Sequence, residues 1–213
     1  MQNAQEIYAQ IESLGKPENY KAGETIYVPD KIGDSFYFIR EGRVKISYLD
    51  PSGRRLTLAI LKAGDFFGEM AFVDWYRALE ARALEDSIIL AIDCRRFWSA
   101  AKGKPDAMLK LVVLFLRRIQ RAQQRLKELA FNDLEACLAR TLLRLSREHG
   151  RRADGDIQIE LRLTHQELSE LVGSSRESAT VALNRLEREG LLEKRGFSVI
   201  IKDKAGLKRR AAL

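Results

Sequence analysis

Residues 163–192 read LTHQELSELVGSSRESATVALNRLEREGLL. Thr164 with Glu167 three positions later makes a capping box, and Leu168, Leu171 and Val172 give the helix that follows one apolar face. Gly173 supplies a turn tight enough for a second helix to cross the first, and Ser174 or Ser175 caps that second helix. Along it Ala179, Ala182, Leu183 and Leu186 face inward, the alanines permitting close approach, while Arg176, Glu177, Thr180, Val181 and Asn184 stay on the outer face. The pattern predicts a helix-turn-helix whose second helix is available to a groove; a plain helical hairpin in a bundle is the competing description.

Working outward, Leu192–Ile201 predicts a hairpin turning at Gly196. Upstream, Leu134, Leu138, Leu142 and Leu145 space a helix over 133–149 that Gly150 ends; 151–156 reads as a polar loop and 157–161 alternates like a strand. Before these, Leu109, Val112, Leu116, Ile119, Gln123, Leu126 and Ala130 step by threes and fours, the seam of a coiled coil. Such a stripe either joins two chains or packs on the chain's own neighbouring domain. Val113, Leu114 and Phe115 widen it enough to serve both contacts.

Between Tyr20 and Phe97 the segments TIYV, FYFI, VKISYL, LTLAIL and SIILAI are rich in β-branched and aromatic residues. Gly23, Gly33, Gly42, Gly53 and Gly64 punctuate them at the strand-plus-turn interval of an antiparallel sandwich or barrel. Residues 4–14 suggest a short amphipathic helix ahead of them. The fold class is α+β in three parts: a β-domain over 1–105, a dimerisation helix with its hinge over 106–131, and a winged helix-turn-helix over 132–213.

The 213 residues hold 37 Lys plus Arg against 30 Asp plus Glu, and the excess is confined to the second part of the chain. Residues 1–105 carry 15 of each sign, whereas 106–213 carry 22 basic and 15 acidic. Charge alone is compatible with a solvated basic face or with a module that meets a polyanion. Cys94 and Cys137 are too few for a disulfide framework, and the longest apolar run, Leu111–Leu116, is far short of a bilayer span. No nucleophile–base set, phosphate-cradling loop or metal motif is present, and His149 and His165 offer the β-domain no ligand pair. The expectation is a cytoplasmic non-enzyme without resident metal or cofactor and without membrane attachment.

Both halves resemble the cyclic-AMP receptor protein family, which includes the fumarate and nitrate reduction regulators. KAGETIYVPDKIGDSFYFIREGRVKI followed by GDFFGEMAF is similar to the family's cyclic-nucleotide-binding β-roll, HQELSELVGSSRESATVALNRLEREGLL to its winged helix-turn-helix, and ELAFND to its hinge. The resemblance implies a homodimeric transcription regulator on duplex DNA, an activator that recruits RNA polymerase. It places Arg176, Glu177, Thr180 and Val181 on base edges. Thr164, His165, Gln166, Ser175, Ser178, Asn184 and Arg185, with Lys194 and Arg195 on the wing, fall at phosphate or flanking contacts. Arg can donate twice to guanine and Glu can accept from cytosine, but Val181 stands where the family carries an arginine and can meet only a thymine methyl.

The resemblance also implies a nucleotide pocket in the β-roll, which this sequence degrades. Gly68 and Glu69 match the family's Gly-Glu turn. An ungapped count from Gly68 puts Leu79 and Glu80 at the Arg-Ser pair that receives the cyclic phosphate, replacing attraction by repulsion unless Arg77 or Arg82 shifts in. At the adenine, Ala122 and Gln123 replace Thr and Ser. DNA binding without cyclic AMP is expected; the alternative is a different small effector, with Phe72, Trp75 and Tyr76 lining or filling its pocket.

Overall fold

The computed structural model describes residues 14–73, 77–102, 108–109, 112–113, 115–116, 118–120, 122–123, 133–153 and 156–212. The helix expected over 4–14 lies almost wholly outside them, as do Trp75, Tyr76, Leu126 and Ala130. The chain divides into two compact units, Met1–Gln120 and Arg121–Leu213.

The first unit contains β1 (Lys16–Tyr20), β2 (Thr25–Tyr27), β3 (Ser35–Glu41), β4 (Arg43–Leu49), β5 (Arg55–Lys62), β6 (Phe66–Phe67), a 3-10 turn (Glu69–Phe72), β7 (Glu80–Ala83), β8 (Ser87–Asp93) and α1 (Cys94–Ala101). They form two four-stranded antiparallel sheets, β1-β8-β3-β6 and β2-β7-β4-β5. Ile39, Phe67 and Ile89 of the first sheet meet Val44, Ile46, Leu61 and Ala81 of the second to make the inner core. Phe36, Phe38, Leu90 and Ile92, the alternate residues of β3 and β8, bury the other face of the first sheet with Phe97 of α1. With both faces covered, β8 reads as an unbroken apolar run, SIILAI, rather than an alternating one.

Met108 and Phe115, described residues of the helix expected over 106–131 and called the linking helix below, pack on that second cluster. Leu109, Val112, Leu116 and Ile119, on another face of the same helix, are 62%, 48%, 57% and 53% exposed. The helix therefore has both apolar surfaces that the sequence suggested: one spent on its own β-roll, one uncovered in the single chain.

The second unit is built on α2 (Leu134–Glu148), with β9 (Gly150–Ala153), β10 (Asp156–Ile159), α3 (His165–Val172), α4 (Arg176–Arg188), β11 (Leu192–Arg195), β12 (Ser198–Ile201) and α5 (Lys204–Ala211). The expected polar loop over 151–156 is instead largely paired strand, Arg152 opposite Ile157 and Gly150 opposite Ile159. Arg151 and Arg152 lack an apolar pattern because β9 is an edge strand, with β10 paired on its other side to β12. Gly150 is needed for space rather than for turning: a Cβ there would sit 2.1 Å from the Ser146 carbonyl oxygen. The sequence also concealed α5. Half of its KAGLKRRA is charged; Asp203 caps it, only Gly206, Leu207 and Ala211 are buried, and Arg140 of α2 holds its last carbonyl.

Candidate functional site

The capping box is formed: Thr164 Oγ1 accepts from Glu167 N at 3.1 Å, and Glu167 Oε2 accepts from Thr164 N at 2.8 Å. Gly173 takes φ +69°, a left-handed conformation that a β-carbon resists, and so redirects the chain from α3 into α4. Ser175 caps α4 by accepting from Ser178 N at 3.1 Å. Ala179, Ala182, Leu183 and Leu186 are 3% exposed or less, locking α4 onto the unit. Its outer face carries exposed Arg176, Glu177, Ser178, Val181 and Arg185, with Thr180 and Asn184 half-buried. This face can donate through Arg176, accept through Glu177 and offer a methyl surface at Val181.

Several polar residues on and beside that face are already partnered. Lys194 donates from Nζ to Asn184 Oδ1 at 2.7 Å and pairs with Glu187 Oε2 at 3.1 Å, while its N–H reaches Glu187 Oε1 at 2.9 Å. Lys194 and Asn184, expected at phosphate or flanking contacts, here clasp the wing hairpin to α4. Desolvation pushes the Glu187 carboxyl up, but the two Lys194 hydrogen bonds and the ammonium charge more than offset it, and the net displacement is downward from 4.5. Arg185 bonds Glu135 of α2, and Arg195 bonds Glu193 at 2.6 Å. The hydroxyl of Thr180, expected among the base-reading residues, donates to the Arg176 carbonyl at 2.7 Å and lies 2.8 Å from His165 Nδ1. At the wing turn exposed Phe197 carries the Arg162 guanidinium 4.0 Å from its ring centroid, a contact the sequence did not disclose.

In the β-roll the ungapped count from Gly68 leads to Leu79 and Glu80. Glu80 is 5% exposed and its carboxylate is taken by Arg55 at 2.9 Å and Arg82 at 3.0 Å, while Leu79 packs on the inner core. Arg77 stands at the Gly68 turn instead. It is 3% exposed, donates to the Gly68 carbonyl at 2.8 Å and to the Ser35 carbonyl, and lies 4.6 Å from the Tyr27 ring centroid. Among the described residues no carboxylate pairs with it.

Gly33 and Gly68 make its room, because a Cβ at either would approach the guanidinium to 2.5 or 2.7 Å. Gly33, read from the sequence as strand punctuation, was the available signal. Burial pushes the Tyr27 hydroxyl far up, so the ring beside Arg77 stays neutral. Glu69 pairs with Arg118 of the linking helix at 2.8 Å. Ala122 and Gln123 are exposed helical residues of the second unit.

Residues 17–103 match the cyclic nucleotide-binding domain model, and residues 138–210 match the Crp-like helix-turn-helix domain model. The chain is 32% identical over 199 residues to a CRP-like cAMP-activated global transcriptional regulator of Mycobacterium tuberculosis, covering 92% of this chain and 88% of that one. The chain belongs to the CRP/FNR family. A CRP/FNR-family transcriptional regulator from Thermus thermophilus superposes with a TM-score of 0.79 at 29% identity, over 93% of this chain and 99% of that one. A c-di-GMP-responsive global regulator from Xanthomonas campestris superposes at 0.79 with 27% identity, over 94% and 99%. As a CRP/FNR regulator the chain is a transcription factor with a DNA-binding helix-turn-helix and not an enzyme. No helix among the described residues is long and apolar enough to cross a membrane.

Proposed function

We propose that this CRP/FNR regulator is a cytoplasmic homodimer that reads pseudo-palindromic promoter sites and activates transcription by recruiting RNA polymerase. The observation that carries the reading is the outer face of α4, where Arg176, Glu177 and Val181 are exposed on a helix whose opposite face is wholly buried. Dimerisation rests on the uncovered stripe Leu109, Val112, Leu116 and Ile119, which Gln123, Leu126 and Ala130 extend in sequence. Ser175, Ser178, Thr164 and Gln166 are assigned to phosphates beside the groove, with Arg185 and Arg195 as outer contacts. Selection of binding sites from random duplexes with effector-free protein tests this. An enriched palindrome with half-sites about 34 Å apart is expected, and enrichment of no motif would overturn it.

DNA binding without cyclic AMP is proposed because Ala122 and Gln123 supply no hydroxyl to an adenine and Arg118 engages Glu69. Calorimetry with millimolar cyclic AMP should register no binding. A second reading, gating by another anionic effector in the β-roll, is favoured by the burial of Arg77 without a carboxylate partner. Relatives named as cAMP-activated and as c-di-GMP-responsive show that effectors differ among proteins of this architecture.

A further inference from the structure

The outward face of the sheet β2-β7-β4-β5 carries a row of polar side chains that are shut off from water. Val44, Ile46 and Ala81 point into the inner core, so strand alternation turns Lys45, Ser47, Glu80 and Arg82 outward. Ser47 stands opposite Glu80 on one side and Thr57 on the other, which puts Thr57 on the same face. An outward row of this kind is ordinarily solvated, yet Ser47 and Thr57 are 1% and 2% exposed. Two arginines cover them. Arg55 Nε reaches Glu80 Oε2 at 2.9 Å, from β5 across the intervening β4, and Arg82 Nη2 reaches Glu80 Oε1 at 3.0 Å.

The row is short of acceptors. Among the described residues Ser47 Oγ, Thr57 Oγ1 and Arg82 Nε are buried and have no hydrogen-bond partner. A guanidinium N–H can only donate, and each hydroxyl has a proton to give. Glu80 already accepts from Arg55 Nε, Arg55 Nη2 and Arg82 Nη2. Charge is unbalanced in the same sense, because Lys45, Arg55 and Arg82 bring three positive charges against the single negative charge of Glu80. Lys45 also stands directly opposite Arg82 in the register, and like charges so placed repel.

We propose that this face binds a small inorganic oxyanion of the phosphate type, held by Arg82 Nε–H and the hydroxyls of Ser47 and Thr57 beneath the two arginines. One tetrahedral anion supplies acceptors to all three donors and offsets the surplus positive charge; a water molecule supplies acceptors but no charge. The side chains of Arg55 and Arg82, 26% and 36% exposed, are the cover that an entering anion displaces. The site is separate from Arg77, which donates to the Gly68 and Ser35 carbonyls, and from the recognition helix, which belongs to the other unit.

The test is a titration of the full chain with inorganic phosphate, a HEPES salt holding pH and ionic strength fixed. The nitrogen-15 Nε–H resonance of Arg82, assigned by its loss in Arg82→Lys, should shift saturably, and resistance to urea should rise with it. Ser47→Ala combined with Thr57→Val should weaken phosphate roughly tenfold. Without phosphate the same double variant should unfold at no lower urea concentration than the wild type, since it removes two hydroxyls that lack partners. Arg82→Lys keeps a charge beside Glu80 without the Nε–H and should weaken phosphate similarly. A wild-type resonance that does not move overturns the proposal whether or not a variant folds. A double variant that binds phosphate as tightly as the wild type overturns it by placing the anion elsewhere, and chloride shifting the resonance at the same concentrations as phosphate overturns the oxyanion assignment.

Discussion

Arg176 and Val181 are both exposed on the outer face of α4, and each predicts a different phenotype. Arg176→Ala removes a two-pronged donor and should cost about 1–3 kcal/mol of binding while relaxing preference at a single guanine. Val181→Arg should shift preference at one base pair toward guanine. Competition titrations against a panel of single-base variants read both, and equal losses on cognate and scrambled duplexes would refute the assignment. In the β-roll, Gly68 combines φ +77° with a Cβ position 2.7 Å from Arg77 Nη1 and 2.9 Å from Tyr37. Gly68→Ala should therefore destabilise the β-roll by roughly 1–3 kcal/mol in urea unfolding, whereas Gly53→Ala, which meets nothing within 4 Å, pays only the backbone strain of its own φ of +84°.

At the scale of elements, the wing and the recognition helix are one unit through Glu187, Asn184 and Lys194. The Glu187 carboxyl is displaced downward from 4.5 in the folded chain. A depressed carboxyl contributes stability at pH values above its unfolded value and loses it as pH falls through the lower folded one. The wing should therefore loosen below the ordinary glutamate range, seen as faster amide exchange in β11. Glu187→Gln should remove that pH dependence; an unchanged acid response in this variant would exclude the clasp. Lys194→Ala is expected to loosen the same hairpin, so its effect on DNA affinity is to be separated from a lost phosphate contact by measuring β11 exchange without DNA.

Over the whole molecule, the proposed dimer rests on the linking helix. Phe115 is spent on the β-roll, while Leu109, Val112, Leu116 and Ile119 form a stripe that a single chain leaves in water. Sedimentation of the ligand-free protein should give one species near twice the 24.3 kDa chain mass. Leu116→Arg would place an unpaired charge in that seam and should yield a folded monomer. A monomeric wild type at micromolar concentration would leave the stripe unexplained and remove the basis for palindromic sites.

The sequence by itself determined whatever depends on local spacing. The capping box at Thr164 and Glu167, the turn at Gly173, the inward face of α4 and the hairpin at Gly196 follow from residues within a few positions of one another, because caps, turns and helix periodicity are short-range. Only the tertiary structure decided which polar side chains were already taken. Arg77 reaches the Ser35 carbonyl across 42 residues, and Arg55 reaches Glu80 across 25. Counting from Gly68 without gaps therefore chose Leu79 and Glu80, whereas the folded sheets brought Arg77 to the turn. The edge strand β9 and the helix α5 were invisible for the same reason: their own residues bury little, and each is held by a partner elsewhere in the chain, β10 for one and Arg140 for the other. Hydrogen bonds between segments distant in sequence leave no periodicity to read, so which polar side chains are occupied emerges only from the fold.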